Sequence, residues 1–291
     1  MKKLKLGFAD THDHLAKFFF DVLSTRYDVE VDNKYPEFLI FGDKNFGTRN
    51  QYFSKNDVTK IFYTGENQRP EDYDCHYAIS FDHNFNPWHY RLPLFVIYMW
   101  AWENIHGMKY TMDHIFQLDS SVPAKDSFCS FVVSNPNCQQ RNDFFSKLNA
   151  IKPVDSGGRL FNNTGKELSG EQAKIDFLST RKFNICFEPF EHPGYVTEKI
   201  MHAFYARTVP IYWGSDTIAS DFNPNAFINV KEFNRPEDAI EYILQVDADE
   251  DAYMTYLQNP PFANNLPPSY MFLDNFLNWF DAVVYNKILS R

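Results

Sequence analysis

The strongest constraint on this chain is an alternation of short apolar runs and amphipathic stretches that proceeds, lapses and begins again. In the first half, "LKLGFAD", "FLIFG" (38–42), "KIFYTG" (60–65) and "YAISF" (77–81) interleave with "HLAKFFFDVLSTRY" and "RLPLFVIYMWAWENIHG". Short continuous apolar runs bounded by turn residues suit strands covered on both faces, and strand–helix alternation marks a mostly parallel sheet. Between about 107 and 126 the pattern lapses into "GMKYTMDHIFQLDSSVPAKD", which reads as a linker. It then restarts with "FCSFVVSN", "QQRNDFFSKLNAI", "EQAKIDFLSTR", "FNICFE" (183–188), "VPIYW", "AFINV" (226–230) and "RPEDAIEYILQV". "YMFLDNFLNWFDAVVYNKIL" closes the chain as one long helix. The expected fold is therefore α/β, with two Rossmann-like domains facing a cleft: residues 1–120, residues 121–268, and a closing helix at 269–291 free to pack back on the first domain. Ligands of such sheets bind outside the carboxyl ends of strands, so functional residues are expected just past strands or at helix N-termini.

Composition removes several classes of function. The chain has 291 residues and a formal net charge of −10, with no basic tract, which disfavours broad nucleic-acid binding. Phe (30) and Tyr (17) are abundant, and aromatic rings fill cores or stack on sugars and bases. The cysteines at 75, 129, 138 and 186 form no CxxC, so reduced thiols of a cytoplasmic protein are expected, without a zinc site. "MKKLKLGFADTHD" lacks the apolar core of a signal peptide, and the longest apolar run, 94–102, is too short to span a bilayer. The expectation is a protein without a transmembrane segment, cytoplasmic or peripheral at the inner membrane.

The stretch "HPGYVTEKIMHAF" carries the most chemistry. With a helix opening at Tyr195 and about 100° per residue, Val196, Ile200, Ala203 and Phe204 share the face toward the sheet. Tyr195, Glu198, Lys199 and His202 share another. A helix N-terminus offers unpaired N–H groups and partial positive charge. Pro193-Gly194 allows a tight turn, and Gly194 allows close approach of a ligand. Lys199 supplies a point charge for a phosphate, and Glu198 is an acceptor suited to a ribose diol. Together they suit a nucleotide diphosphate; spacing alone favours the plainer reading, a solvated face with a Glu favouring the helix dipole.

A second candidate is Glu66 in "FYTGEN", a carboxylate just past a strand, able to act as a base or simply to cap a turn. "DAD" at 247–249 has the look of a metal-binding pattern, but its place between helices suits a solvated loop with a helix cap. "HDH" at 12–14 reads as a polar strand–helix turn bordering the cleft. Trp88 and His89 in "NPWHYR" suit either sugar stacking or anchoring of the following helix.

"FNICFEPFEHPGYVTEKIMHAFYARTVPIYWGSDTIASDFNP" resembles the signature of the bacterial alpha-1,3-fucosyltransferases. The likeness runs on through "AFINVKEFNRPEDAIEYI" and includes "KIFYTGENQRPEDYDCHYAISFD", "RLPLF" and "SFVVSNPNCQQRNDFFSKLNAI", covering most of 60–262 in order. This resemblance implies the GT-B fold, GDP-L-fucose as donor to the second domain, and an N-acetyllactosamine- or lactose-type acceptor approached by the first. It implies inversion at the sugar, no obligatory metal or cofactor, and Lewis-type products on surface polysaccharide. It places Glu198 on the ribose, and Lys199, Tyr195 and Arg141 on the diphosphate. Glu188 lies beside the fucose region, and Glu66 is the general base. A glycosidase pairing Glu66 with Glu188 would leave the phosphate features without use. Two rivals remain: another GDP-sugar or linkage on the same fold, and a non-catalytic carbohydrate-binding relative. Pro189 departs from the Asn usual after "FE", which puts donor-loop contacts there in question. "NKILSR" carries no heptad repeat or basic amphipathic tail, so attachment to a membrane by that route is not expected.

Overall fold

The computed structural model describes residues 1–49, 58–83, 86–108, 122 and 124–286. Most of the linker expected at 107–126, and residues 287–291 of the closing helix, lie outside the described residues. The chain forms two compact units, Met1–Ala101 together with Pro268–Arg291, and Trp102–Pro267.

The first unit is a six-stranded sheet in the order β2-β1-β3-β4-β5-β6, parallel throughout. Its strands are β1 (Lys2–Ala9), β2 (Tyr27–Val31), β3 (Phe38–Phe41), β4 (Thr59–Tyr63), β5 (Tyr77–Ser80) and β6 (His89–Arg91). Every residue of β3 and β5 is buried, as strands covered on both faces must be. Helix α1 (Asp13–Ser24) lays Phe18, Phe19, Val22 and Leu23 into the core. Helix α2 (Leu94–Asn104) follows Pro93.

The C-terminal segment completes this unit. Helix α8 (Leu273–Trp279) runs into a wider π-wound stretch, Phe280–Tyr285. Phe276 packs on Phe19 and Tyr90, and Phe280 on Tyr27. Asp281 accepts from Lys2 at 2.7 Å and from the Tyr27 hydroxyl at 2.9 Å.

The second unit is a five-stranded parallel sheet in the order β11-β10-β9-β7-β8. It contains β7 (Ser127–Phe131), α3 (Gln139–Ile151), β8 (Val154–Ser156), α4 (Glu171–Ser179), β9 (Arg181–Phe187), α5 (Glu198–Tyr205), β10 (Val209–Trp213), β11 (Ile228–Asn229), α6 (Pro236–Ala248) and α7 (Glu250–Gln258). Its core joins Phe131, Phe144, Phe145 and Leu148 to Phe183, Ile185, Phe187 and Ile211. The parallel α/β fold expected from the alternation is present in both units.

Several local expectations need correction. The helix after Pro193-Gly194 opens at Glu198 with Thr197 as its extended N-cap, not at Tyr195. Gly194 at φ 79° turns the chain, which places Tyr195 in the turn and off the helical face. "AFINV" yields only two strand residues, because 3₁₀ turns flank them on both sides. "RLPLF" divides at Pro93: Arg91 ends edge strand β6 and the helix starts at Leu94, since proline keeps its predecessor extended. The long closing helix is a 3₁₀ turn, an α-helix and a π-wound turn in succession.

Candidate active site

In the second unit, strand β9 ends at Phe187 and places Glu188 just beyond the sheet. Glu188 is wholly buried. One of its oxygens accepts the backbone N–H of Thr197 at 2.7 Å; the other accepts the Thr197 hydroxyl at 2.7 Å and faces Lys199 Nζ at 3.3 Å. Burial raises its pKa, and Lys199 and Thr197 only partly offset that. Glu188 thus ties the N-terminus of α5 to the end of β9.

Lys199 and Glu198 occupy the first turn of α5, 3.5 Å apart, with 22% and 14% of their side chains exposed. For Glu198, burial alone would raise the pKa, but Lys199, Lys174 and His202 hold it down to about 2. Burial likewise works against the Lys199 charge, yet Glu188 and Glu198 push its pKa up. Both groups are therefore ionised at neutral pH. The Thr197 hydroxyl also accepts from Lys199 Nζ at 2.8 Å, fixing the ammonium over the helix start.

Arg141 sits in the first turn of α3, the helix that follows β7, and is only 1% exposed. One guanidinium nitrogen donates to the Asn135 carbonyl, while its buried Nε has no hydrogen-bond partner. Burial lowers its pKa, and the nearby Glu188 charge opposes this. A buried guanidinium with an unused donor at a helix start is suited to an anion. Arg141 and Lys199 both act electrostatically on Glu188, so the two cations stand around one buried carboxylate.

Gly194 contributes through its turn. Its φ of 79° is one that residues with a side chain rarely adopt, and its N–H donates to Ser215 Oγ at 2.8 Å and Thr217 Oγ1 at 2.9 Å. Tyr195 is 1% exposed, with its N–H on the His192 carbonyl.

In the first unit, Glu66 follows β4, half-buried. Its N–H donates to Thr64 Oγ1 at 3.0 Å, and that hydroxyl donates to the buried Asp43 carboxylate at 3.0 Å. A Cβ on Gly65 would meet Leu94 at 2.7 Å, so glycine lets the strand end close against the start of α2. The Tyr63 hydroxyl is buried without a hydrogen-bond partner, and its pKa is raised by burial and then by the Glu66 charge. Glu66 is thus held on an anchored backbone at the carboxyl edge of the sheet.

The remaining sequence candidates have structural work. Asp249 caps α7 through the N–H groups of Asp251 and Ala252. Asp247 is 9% exposed rather than solvated, and pairs with Lys152 and Lys182. His12 precedes α1 and meets Phe46 edge-on at 4.3 Å. Trp88 adjoins the amino end of β6, the edge opposite Glu66, while His89 is buried on Ser80. Among the described residues, no group of three or more His, Cys, Asp or Glu stands together as a metal would need. Also among them, no helix is long and apolar enough to cross a membrane.

Sequence reasoning passed over Thr197, Asp43, Thr64, Glu171 and Lys174, and placed His202 on a polar helical face without finding the chain it forms with Glu171 and Lys174. Thr immediately before "EK" was a readable N-cap signal. The others come together only through tertiary packing.

Two family descriptions match the chain: the FucT N-terminal domain of alpha-(1,3)-fucosyltransferases at 5–98, and the C-terminal part of glycosyltransferase family 10 (fucosyltransferase) at 122–260. The alpha-(1,3)-fucosyltransferase FucT of Helicobacter pylori is 36% identical over 92% of this chain and 59% of its own length. The mouse 4-galactosyl-N-acetylglucosaminide 3-alpha-L-fucosyltransferase 9 is 28% identical over 66% of this chain and 61% of its own length. The chain thus spans less than two thirds of the length of these curated relatives. A crystal structure of an alpha1,3-fucosyltransferase superimposes with a TM-score of 0.81 and 32% identity, covering 98% of this chain and 91% of the other. An alpha1,3-fucosyltransferase crystallised with GDP-fucose gives a TM-score of 0.76 and 31% identity over 96% and 90% of the two chains. With this agreement in sequence and in fold, the chain belongs to the glycosyltransferase family 10 fucosyltransferases.

Proposed function

We propose that this protein is an inverting, metal-independent alpha-1,3-fucosyltransferase. It moves L-fucose from GDP-L-fucose to the 3-hydroxyl of N-acetylglucosamine, or glucose, in a lactosamine- or lactose-type glycan, forming Lewis-type structures on surface polysaccharide. The observation that carries the reading is the pair of cations, Arg141 with its unused buried Nε and Lys199, at the starts of α3 and α5. A diphosphate would take up the Arg141 donor left unused and the partial positive charge of the two helix starts. The solved relative bound to GDP-fucose supports the choice of nucleotide sugar.

The roles follow from charge. The acceptor hydroxyl attacks C1 of fucose on the face away from GDP; the new C–O bond forms as the bond from C1 to the β-phosphate oxygen breaks. Glu66 takes the hydroxyl proton as that bond forms, a contribution of about 10²–10⁴ in rate. The leaving diphosphate gains charge, which Arg141, Lys199, Tyr195 and the start of α5 stabilise, so no acid is needed on the leaving side. Glu198 accepts from the ribose hydroxyls. Glu188 and Gly194 hold the loop that carries these groups.

The deciding experiment incubates the protein with GDP-fucose, GDP-mannose and UDP-galactose against lactose and N-acetyllactosamine, with product linkage assigned by NMR. A fucosylated product linked alpha-1,3 is expected. The Glu66→Gln variant should lose transfer while still binding GDP; near-normal transfer would remove the base assignment. A different sugar or linkage would remove the substrate assignment.

A further inference from the structure

Two loops of the second unit are joined by bonds that the roles above leave unused. One is 188–197, between β9 and α5; the other is 214–217, just past β10. At His192–Tyr195 the first loop turns, with Pro193 second and Gly194 third. The Tyr195 N–H donates to the His192 carbonyl at 3.1 Å, and Gly194 has φ 79°, the form of a type II turn. In such a turn the N–H of the third residue points away from the closing bond. Gly194 is buried, so that donor needs a partner from elsewhere.

Ser215 and Thr217 supply it. The Gly194 N–H donates to Ser215 Oγ at 2.8 Å and to Thr217 Oγ1 at 2.9 Å. Ser215 is wholly buried, and its own N–H donates to the Tyr212 hydroxyl at 3.0 Å, which fixes it to the end of β10. Ser215 Oγ also accepts the Thr217 N–H at 3.2 Å. Both its lone pairs are then filled, and its proton goes to Thr217 Oγ1, 3.0 Å away. A second attachment joins the same loops: Lys231 Nζ pairs with Glu191 of the first and Asp216 of the second. Those carboxylates are 47% and 60% exposed, so water and salt screen that link and the buried hydroxyls carry more of the hold.

Tyr195 is thereby fixed from both sides. Gly194 precedes it, held by Ser215 and Thr217. Thr197, two residues on, is held by Glu188 through its N–H and its hydroxyl, each at 2.7 Å. We propose that Ser215 and Thr217 are positioning residues for the transfer reaction, setting the backbone from which Tyr195 reaches the donor diphosphate. This rests on the reading of Tyr195 as a diphosphate ligand. Every step of the link is a covalent or hydrogen bond, from the Tyr212 hydroxyl through Ser215 and Gly194 to Tyr195. A backbone set before the donor arrives costs no ordering when it binds.

The test is calorimetric titration of GDP, and NMR titration of guanosine, with wild type, Ser215→Ala, Thr217→Val, Thr217→Ser, Tyr195→Phe and the Ser215→Ala/Tyr195→Phe double variant. Guanosine lacks the diphosphate and reports on the nucleoside part of the site. Ser215→Ala and Thr217→Val should each weaken GDP about fivefold and leave guanosine within about twofold, with Thr217→Ser recovering most of the valine loss. In turnover, both variants should lower kcat, because the diphosphate gains charge as it leaves, and keep the KM for acceptor. Adding Ser215→Ala to Tyr195→Phe should cost GDP nothing further. Equal losses for GDP and guanosine, unchanged GDP affinity, or full additivity with Tyr195→Phe would overturn the proposal. If Tyr195→Phe binds GDP as wild type does, the ligand reading of Tyr195 itself falls and takes the proposal with it. That pattern is distinct from failure at Ser215 and Thr217 with Tyr195→Phe impaired.

Discussion

Replacing Glu188 with glutamine tests whether this residue acts on the protein or on the sugar. In Glu188→Gln the amide oxygen can still accept the Thr197 N–H, now 2.7 Å from the carboxylate. The other position becomes an NH₂ that faces the Thr197 hydroxyl, formerly at 2.7 Å, and Lys199 Nζ, formerly at 3.3 Å. Losing one buried bond to a charged acceptor costs about 1.5–3 kcal/mol. The Lys199 pair is also lost, but part of that is offset because a neutral amide is cheaper to bury than a carboxylate whose pKa burial already raises. A net loss of about 2 kcal/mol follows, or about 4–8 °C in the melting of a unit this size. With Lys199 released, GDP and GDP-fucose should weaken together, by about tenfold. Differential scanning calorimetry and titration with both nucleotides measure this. Unchanged melting and GDP affinity, with GDP-fucose alone weakened, would refute the reasoning and put Glu188 in contact with fucose.

Other outcomes follow from the same geometry. Thr64→Val removes the hydroxyl between Asp43 and the Glu66 N–H, which should cost about 1–3 kcal/mol and lower kcat without altering GDP affinity; Thr64→Ser should restore both, and a kcat unmoved by valine would argue against an anchored Glu66. EDTA should leave transfer largely intact; complete loss restored by manganese would return attention to 247–249. Glu171 has its folded pKa lowered from 4.5 to about 2, so its stabilising contribution is present above 4.5 and lost as pH falls through about 2. The stability gap between wild type and Glu171→Gln, read from denaturant midpoints, should therefore narrow between pH 5 and pH 2; a constant gap would contradict the assignment.

Much of the architecture was legible because parallel strands buried on both faces leave continuous apolar runs. "FLIF" and "YAIS" are strands whose every residue is buried. The same logic failed for β6 and β8, each three residues long, where too little sequence exists to show a pattern. The start of α5 was misplaced because a wheel drawn from Tyr195 ignores what a positive φ at Gly194 does to the chain. Glu188 shows a different gap. Its position past a strand was readable, but only the folded chain reveals that both of its oxygens are taken by Thr197 and Lys199. The Lys174–His202–Glu171 chain joins two helices whose contact no local period encodes.

The first unit is built from both ends of the chain, with the second unit's residues between them in sequence. During synthesis, the Trp102–Pro267 portion leaves the ribosome complete while its predecessor still lacks Phe276, Phe280 and Asp281. Until those arrive, the surfaces of Phe19, Tyr27 and Tyr90 that they cover stay open to water or to a chaperone. The first unit is therefore completed only after the second, and loss of Phe276, Phe280 and Asp281 should open its core although these residues lie far along the chain from Phe19, Tyr27 and Tyr90.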